Sequence, residues 1–324
     1  MKLAAVLFSA VFTAVAGGLA HGQPFPSKPI RVLVPFPAGG TTDIVARLVG
    51  QRVSETIGQP VLVENRAGAG GTIAAAEVAR SAPDGYTLLI HNVTFPIASV
   101  AAQVANRATY NVDADFAGVS IAVYVPFVWT AHPSVPGKDL AELMKYLQKD
   151  SSVRYTYGST GPGSTMHVLG EALAREAKVE MTHIPFKGAA PLKQELIAGR
   201  VNIGGDQLSS SLGDIKAGKL KALATSASRR IAELPEVPTV RELGYPTLEA
   251  DGWNGFFAPA RTPREVIERL QKEVAAAVRN PEVARRLTEI GAEPVGSAPA
   301  EQDAILKRQV DQFRPIIREM KIEN

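Results

Sequence analysis

Short apolar runs alternate with helical periodicity in the first third of the chain. The run at 30–35 is rich in β-branched side chains, and apolar residues then recur at helical spacing over 43–57. Apolar runs follow at 61–63 and 86–90, separated by an Ala-rich helical stretch at 72–80. Because strands and helices alternate over short connections, this pattern predicts a parallel sheet with helices on both faces.

The same alternation returns in the second half of the chain after an extended segment. Residues 121–131 form a long apolar run that contains Pro126. An internal proline fits a segment that passes between domains better than a central strand. Four further strands are predicted, with helices between them, at 153–157, 179–184, 201–204 and 220–225. The pattern therefore predicts a second α/β unit.

Composition and charge narrow the class of protein. Of the 324 residues, 45% are hydrophobic and 21% charged, which is typical of a globular chain long enough for two domains. The chain contains no cysteine, which excludes disulfides, thiolate catalysis and zinc–thiolate sites. With 35 Lys and Arg against 32 Asp and Glu, the net charge of +3 argues against a nucleic-acid partner.

Residues 1–22 have the layout of a secretory signal peptide. Lys2 precedes an apolar run, and small residues follow before His21. We therefore expect cleavage near residues 20–23 and export to the periplasm as a free protein, with a membrane anchor as the alternative. No later stretch approaches the roughly 20 apolar residues that a membrane helix needs.

Three loops rich in glycine and hydroxyl side chains each lie between an apolar run and a helical stretch. Glycine lets the backbone turn sharply and approach a ligand, and a helix start offers free N–H groups and a partial positive charge. Hydroxyls can add donors, here from Thr41, Thr42, Ser159, Ser164 and Thr165. The loops therefore predict uncharged cradles for a carboxylate or phosphate; they are PFPAGGTTD (35–43), ENRAGAGGT (64–72) and YGSTGPGST (157–165).

Other chemistries have weaker support. The P-loop-like run at 213–219 is followed by Leu220 instead of Ser or Thr, and the glycine-rich run at 68–73 lacks the last glycine of a dinucleotide fingerprint. Neither Ser159 nor Ser164 lies in a G-x-S-x-G elbow. The five histidines lack metal-binding spacing, so we expect no catalytic residue, cofactor or metal.

Three charged residues near these loops could serve either the structure or a ligand. Asp43 lies at a helix start, where a structural role is favoured. Asp206 follows the strand at 201–204, at the edge where open α/β sheets bind ligands. It could receive an ammonium or hydroxyl group of a ligand or serve the structure, and both interpretations stay open. Lys187 could neutralise a carboxylate or be a solvated lysine.

Six motifs follow one another along the chain: KPIRVLVPFPAGGTTD (28–43), VENRAGAGG (63–71), DGYTLL (84–89), YGSTGPGS (157–164), PFKG (185–188) and PEVPT (235–239). Together they resemble the Bug family, the periplasmic solute-binding receptors of tripartite tricarboxylate transporters. The resemblance implies a two-lobed Venus flytrap fold, in which each lobe is a mixed, mostly parallel sheet flanked by helices. It also implies a cleft that closes over one small organic anion: a di- or tricarboxylate, an acidic amino acid or an aromatic acid.

The resemblance further implies the division of the chain and the ligand contacts. The first lobe would comprise 24–122 and 248–324, and the second 123–247. Independently of the resemblance, the extended segments that cross between the two α/β units predict hinges at 121–125 and near Pro246. Contacts in the first lobe would come from Phe36, Thr41, Thr42, Ala69, Gly70, Asn92 and Thr94. Contacts in the second would come from Ser159, Thr160, Ser164, Thr165, Gly188 and Asp206. The sequence GDQ at 205–207 stands where the family usually has Phe-Asp-Asn, which implies a wider or more flexible cleft wall.

The implied function is capture of a carboxylate and its delivery to the membrane subunits of a transporter, by a monomer that catalyses no reaction. One alternative is an exported receptor that passes a ligand signal to a sensor kinase. Another is an exported hydrolase that uses Ser159 or Ser164 with His167, although the absence of a nucleophile elbow speaks against it.

Overall fold

The computed structural model describes residues 25–149 and 154–320. The predicted signal peptide at 1–22 lies outside the described residues, so its cleavage stays a prediction.

Strands and helices alternate through most of the described residues. The strands are β1 (Ile30–Val34), β2 (Val61–Asn65), β3 (Thr87–Asn92), β4 (Phe116–Tyr124), β5 (Phe127–Ala131), β6 (Tyr155–Ser159), β7 (Met181–Pro185), β8 (Ile203–Gln207), β9 (Lys221–Thr225), β10 (Trp253–Pro259) and β11 (Glu293–Pro294). The helices are α1 (Thr41–Ile57), α2 (Thr72–Ala79), α3 (Thr94–Val104), α4 (Leu140–Lys149), α5 (Thr165–Ala177), α6 (Ala189–Ile197), α7 (Leu212–Lys216), α8 (Arg264–Arg279), α9 (Pro281–Glu289) and α10 (Pro299–Met320).

The strands form two mixed sheets. The first has the order β11-β4-β10-β3-β1-β2 and the second the order β7-β6-β8-β5-β9. In the first, β1 is parallel to β2 and β3, whereas β10 is antiparallel to β3 and β4. In the second, β6 is parallel to β7 and β8, whereas β5 is antiparallel to β8 and β9. We call each sheet with its helices a lobe.

The predicted two-lobed α/β fold is confirmed, with one difference. Parallel pairs do not predominate in either sheet, because β5 and β10, the strands that follow the two passages between the sheets, both enter their sheet antiparallel to their neighbours. Such mixed sheets are common among large α/β folds.

Alternate side chains of the central strands pack on opposite faces of their sheet. In β1, Leu33 belongs to one buried apolar cluster, whereas Val32 and Val34 belong to another. This is the two-residue period of a strand covered on both faces. Burial of the strands on both faces leaves their carboxyl ends as the place where polar groups can meet a ligand.

Two segments cross between the sheets and lie against each other. Val125 and Pro126 alone join β4 to β5, and residues 226–252 join β9 to β10. Val125 N–H donates to Gly252 O at 2.9 Å. The run predicted to cross at 121–131 is therefore two strands interrupted at Pro126, which has no N–H to donate to a ladder. The division into 24–122 plus 248–324 and 123–247 stays a proposal.

A methyl group at Gly252 is expected to force the crossing segments apart. A β-carbon there would lie only 1.9 Å from Val125 O, so we expect Gly252→Ala to lower the free energy of unfolding by about 1–3 kcal/mol or more. Gly213→Ala is the matched control, because a β-carbon there meets no atom within 4 Å and alanine favours a helix. Urea unfolding measures both variants. A Gly252→Ala protein as stable as Gly213→Ala would contradict this account.

Candidate functional site

The carboxyl ends of strands from both sheets converge on one cleft between the lobes. The walls are formed by the segments that follow β1, β6 and β7 and by the last residues of β3 and β8. This is the edge at which open α/β sheets bind ligands. The cleft is therefore the candidate binding site.

The residues proposed as ligand contacts fall into two groups in the structure. Those that line the cleft are Phe36, Thr41, Thr42, Asn92, Thr160, Gly188 and Asp206. Those outside the lining are Ala69, Gly70, Thr94, Ser159, Ser164 and Thr165. Lys187 lines the cleft too, as do residues that were not proposed as ligand contacts: Pro37, Ala38, Gly40, Ala189, Ala190, Pro191 and Gln207.

The cleft is narrow in this conformation. About 440 Å³ of space between atoms lies in it, part of it open to solvent, but the centres of water molecules can reach only about 30 Å³ of that space. One water position needs roughly 10–15 Å³ by this measure. We therefore expect the lobes to separate when an organic ligand enters.

Direct contacts between the lobes account for the narrow cleft. The hydroxyls of Thr94 and Thr165 lie 3.0 Å apart, and those of Thr41 and Ser209 are also hydrogen-bonded. Gly70 lies so close to the other lobe that a β-carbon on it would be 3.3 Å from Pro162 O. Several predicted contacts outside the lining thus belong to the meeting surface of the lobes.

Two helix N-termini face the cleft from opposite lobes. Thr41 and Thr42 begin α1 in the first lobe, and Ala189 and Ala190 begin α6 in the second. The N–H groups of a first helical turn have no partner within their helix, and the helix end carries a partial positive charge. The cleft therefore offers uncharged anion donors on both walls.

Asp43, in the first turn of α1, has structural partners. Its carboxylate accepts hydrogen bonds from Gly39 N–H at 3.0 Å, from Arg47 at 3.1 Å and from Asn65 Nδ2 at 2.9 Å. Burial by itself would raise the pKa of Asp43, but these hydrogen bonds outweigh burial and hold the pKa below its ordinary value. Asp43 thus fixes the loop between β1 and α1, as the structural interpretation of the sequence favoured.

Gln207 is a cleft residue that the sequence did not reveal as important. Its Oε1 accepts hydrogen bonds from Asn92 Nδ2 at 3.4 Å and from Asn254 Nδ2 at 3.1 Å, both in the first lobe. Its Nε2 donates to Val125 O at 3.3 Å and Trp253 O at 3.5 Å, next to the two crossings. The fully buried side chain of Gln207, in the second lobe, thus hydrogen-bonds both to the first lobe and to backbone carbonyls beside the two crossing segments.

Asp206 and Lys187 supply the charged side chains of the lining. Burial raises the pKa of Asp206 to about 6, while hydrogen bonds from Gln207 N–H and the Ser210 hydroxyl act in the opposite direction. The ionised carboxylate accepts a hydrogen bond from a hydroxyl or ammonium group, and the protonated form donates one. Lys187 is exposed at the rim of the cleft.

The serines proposed for a hydrolase are poorly placed for catalysis. Ser159 is fully buried, and its Oγ lies 2.7 Å from Nε2 of His183, not of His167. His167 Nδ1 instead accepts a hydrogen bond from Gly163 N–H at 3.0 Å. Ser164 begins α5 as its capping residue with a buried hydroxyl that bonds to no described residue. Residues 25–149 and 154–320 contain no group of three His, Cys, Asp or Glu able to hold a metal ion.

Comparison with known proteins gives consistent results. Residues 45–322 match the model of the tripartite tricarboxylate transporter family receptor. The chain is 32% identical to the protein BugT of Bordetella pertussis over 98% of this chain and 97% of that protein. It superimposes on MatC of Rhodopseudomonas palustris with bound malate at a TM-score of 0.83, with 35% identity, over 90% of this chain and 100% of that one. It also superimposes on an R. palustris protein with adipate at 0.81, with 32% identity, over 92% and 99% of the chains.

Replacing Asp206 is expected to stabilise the protein near neutral pH. The pKa of Asp206, about 6 in the folded protein against an ordinary 3.8, means that the folded state holds this proton more tightly. Stability is therefore lost as pH rises through about 6. We expect Asp206→Asn to exceed the wild type by up to about 3 kcal/mol in free energy of unfolding near pH 7.5 and to match it near pH 4.

Urea unfolding at both pH values tests whether the stability gained by Asp206→Asn grows with pH. Asp214→Asn is the control. A hydrogen bond from Lys193, above all, lowers the pKa of Asp214, so its removal should cost more stability near pH 7.5 than near pH 4. If Asp206→Asn differs from the wild type by the same amount at both pH values, the Asp206 carboxyl is not desolvated in the folded protein.

Proposed function

Because the chain belongs to the family of tripartite tricarboxylate transporter receptors, we propose that its cleft captures a small organic carboxylate and passes it to the membrane subunits of such a transporter. The predicted resemblance to the Bug family is confirmed by the match to BugT. The observation that carries the proposal is the pair of helix N-termini, α1 and α6, that face one cleft from opposite lobes.

We infer that the ligand is a linear dicarboxylate. Each wall of the cleft provides one set of helix N–H donors, so each can receive one carboxylate of a ligand that spans the cleft. MatC holds malate and a second similar structure holds adipate, and both are linear dicarboxylates. Asp206 adds a group that could accept a hydrogen bond from a hydroxyl or ammonium substituent, which favours a malate-like ligand over an unsubstituted one.

Uncharged donors suit a protein that must release what it binds. Breaking a fully desolvated ion pair is costly, because each charge left behind stays buried. Backbone N–H groups can hold a carboxylate and return to water when the lobes separate. Lys187 is exposed at the rim of the cleft, where solvent screens its charge. It would therefore not form a desolvated ion pair with the ligand.

We propose that the protein works in the periplasm as a monomer and catalyses no reaction. The family description supports transport as the process it serves. The full burial of Ser159 and the pairing of His167 with a backbone N–H argue against a hydrolase. None of the helices in the described residues is long and apolar enough to cross a membrane.

A thermal-shift series tests the ligand class. We expect malate and adipate to raise the melting temperature, with malate the stronger, because a ligand at a hundred times its Kd adds roughly 2.7 kcal/mol of stability. Citrate, glutamate, an aromatic acid and inorganic phosphate complete the series. If no organic acid shifts the melting temperature, the carboxylate proposal fails; if phosphate alone does, the anion class is wrong.

A proline at the first position of α6 tests the role of the helix start. Ala189→Pro removes an N–H that the helix does not use, and proline is well tolerated there. The expected loss is one hydrogen bond to a charged group, which weakens dicarboxylate binding by about ten- to a hundredfold. Arg264→Pro makes the same change at the start of α8, away from the cleft. Isothermal titration should find wild-type affinity in this control, and equal affinity in both variants would exclude α6 as a ligand donor.

A further inference from the structure

Two histidine rings lie beneath the loop that joins β6 to α5, here called the β6–α5 loop (159–165). The rings of His167 and His183 are stacked, with centroids 4.0 Å apart and planes inclined by 8°. Tyr157 stacks on His183 at 4.9 Å and 20°. His167 comes from α5 and His183 from β7, so the stack ties the loop to both elements beside it.

Both rings hydrogen-bond to the β6–α5 loop. Nε2 of His183 lies 2.7 Å from Ser159 Oγ, which donates to Gly161 O at 3.1 Å and accepts from Gly161 N–H at 3.2 Å. A hydroxyl has one proton to donate, so all three contacts are satisfied only if His183 Nε2 carries a proton. Nδ1 of His167 accepts from Gly163 N–H at 3.0 Å and must therefore be unprotonated.

The geometry of this loop affects the cleft directly. Thr160, within the loop, lines the cleft. Thr165 at its end meets Thr94 of the first lobe, and a β-carbon on Gly70 of the first lobe would lie 3.3 Å from Pro162 O. The backbone of the loop is held from beneath by the two histidines while its outer side meets the first lobe.

We propose that His167 and His183 are positioning residues that hold the β6–α5 loop in its ligand-gripping conformation, and that protonation of His167 releases Gly163 and loosens the grip. The ligand-gripping role rests on the proposed function. The effect on the loop does not, because the hydrogen bond from Gly163 N–H to His167 Nδ1 involves protein atoms alone. Acidification would therefore favour release by altering the wall of the cleft instead of the ligand.

The surroundings of the pair keep it neutral at neutral pH. Burial lowers the pKa of His167, against the opposing effect of Glu171 on the same helix. Burial, and secondly the charge of His167, lower the pKa of His183 to about 4. The other titratable groups that face the pair are Glu171 and Tyr157, whose hydroxyl is hydrogen-bonded to the Glu171 carboxylate.

The sign of the pH dependence follows from these shifts. Both pKa values are lower in the folded protein than the ordinary 6.5 of histidine, so protons bind to the unfolded chain first. The stability contributed by the neutral pair is complete above about pH 6.5 and is lost as pH falls towards about 4. The Gly163 hydrogen bond should be lost over the range in which the His167 ring takes up its proton.

Nuclear magnetic resonance of the ligand-free protein tests the proposal. We expect the Gly163 amide signal to move with the titration of the His167 ring as pH falls. His167→Asn keeps an acceptor near the position of Nδ1, whereas His167→Phe keeps the stacked ring and removes the acceptor. Hydrogen exchange of the Gly163 amide, corrected for pH, should be about five- to tenfold faster in His167→Phe and close to wild type in His167→Asn.

His132→Phe is the matched control, because His132 lies just after β5 and contacts Ser134, outside the cleft lining. It should leave Gly163 exchange unchanged. Wild-type protection of Gly163 in His167→Phe, or a Gly163 signal that does not follow His167 in the wild type, would overturn the proposal. The wild-type titration decides the matter even if His167→Phe fails to fold.

Malate affinity then separates this proposal from the proposed function. Malate should bind more weakly as His167 is protonated in the wild type, and this pH dependence should flatten in His167→Asn. Failure of malate and every other acid to bind would defeat the proposed function but leave the loop measurements standing. Equal pH dependence of malate binding in the wild type and His167→Asn would show that the pair does not act on the cleft.

Discussion

The structure depends on the close approach of two crossing segments. Val125 N–H donates a hydrogen bond to Gly252 O, and the space between the two residues admits no side chain at position 252. Gln207 lies against the same place and donates to the carbonyls of Val125 and Trp253. Two sheets with separate strand orders are thus joined where these segments approach closely and hydrogen-bond.

The cleft built on this joint relies on neutral groups. The first turns of α1 and α6 face the cleft with backbone N–H groups, and buried amides and hydroxyls connect the lobes. The charged side chains of the lining are Asp206, whose pKa is raised to about 6 by burial, and Lys187, which is exposed. The histidines beneath the β6–α5 loop are also neutral in this range. A site of this kind can grip an anion and release it when the lobes separate.

The sequence predicts the strands and helices that show a clear period of apolar and polar residues. It misses a helix that is buried on every side, because such a helix shows no such period. The first strands and α1 were predictable, because each shows a clear period or a glycine boundary. Helix α3 was not predicted, since every residue from Thr94 to Ala101 is buried and the helix has no polar face. The glycine-rich loops pointed to the sheet edge at which the candidate cleft lies. The Gln207 network could not be predicted, because its partners Asn92 and Asn254 are distant in the sequence and adjacent only in the fold.

Closure of the lobes over a dicarboxylate would change the distance between a residue of the first lobe and a residue of the second. The chain has no cysteine, so Ala67→Cys in the first lobe and Thr182→Cys in the second, both exposed, carry the only two spin labels. Double electron–electron resonance spectroscopy gives the distribution of distances between the two labels. With saturating malate, or another dicarboxylate that raises the melting temperature, the mean distance should shorten and the distribution should narrow. An unchanged distribution with a ligand that stabilises the protein would contradict closure.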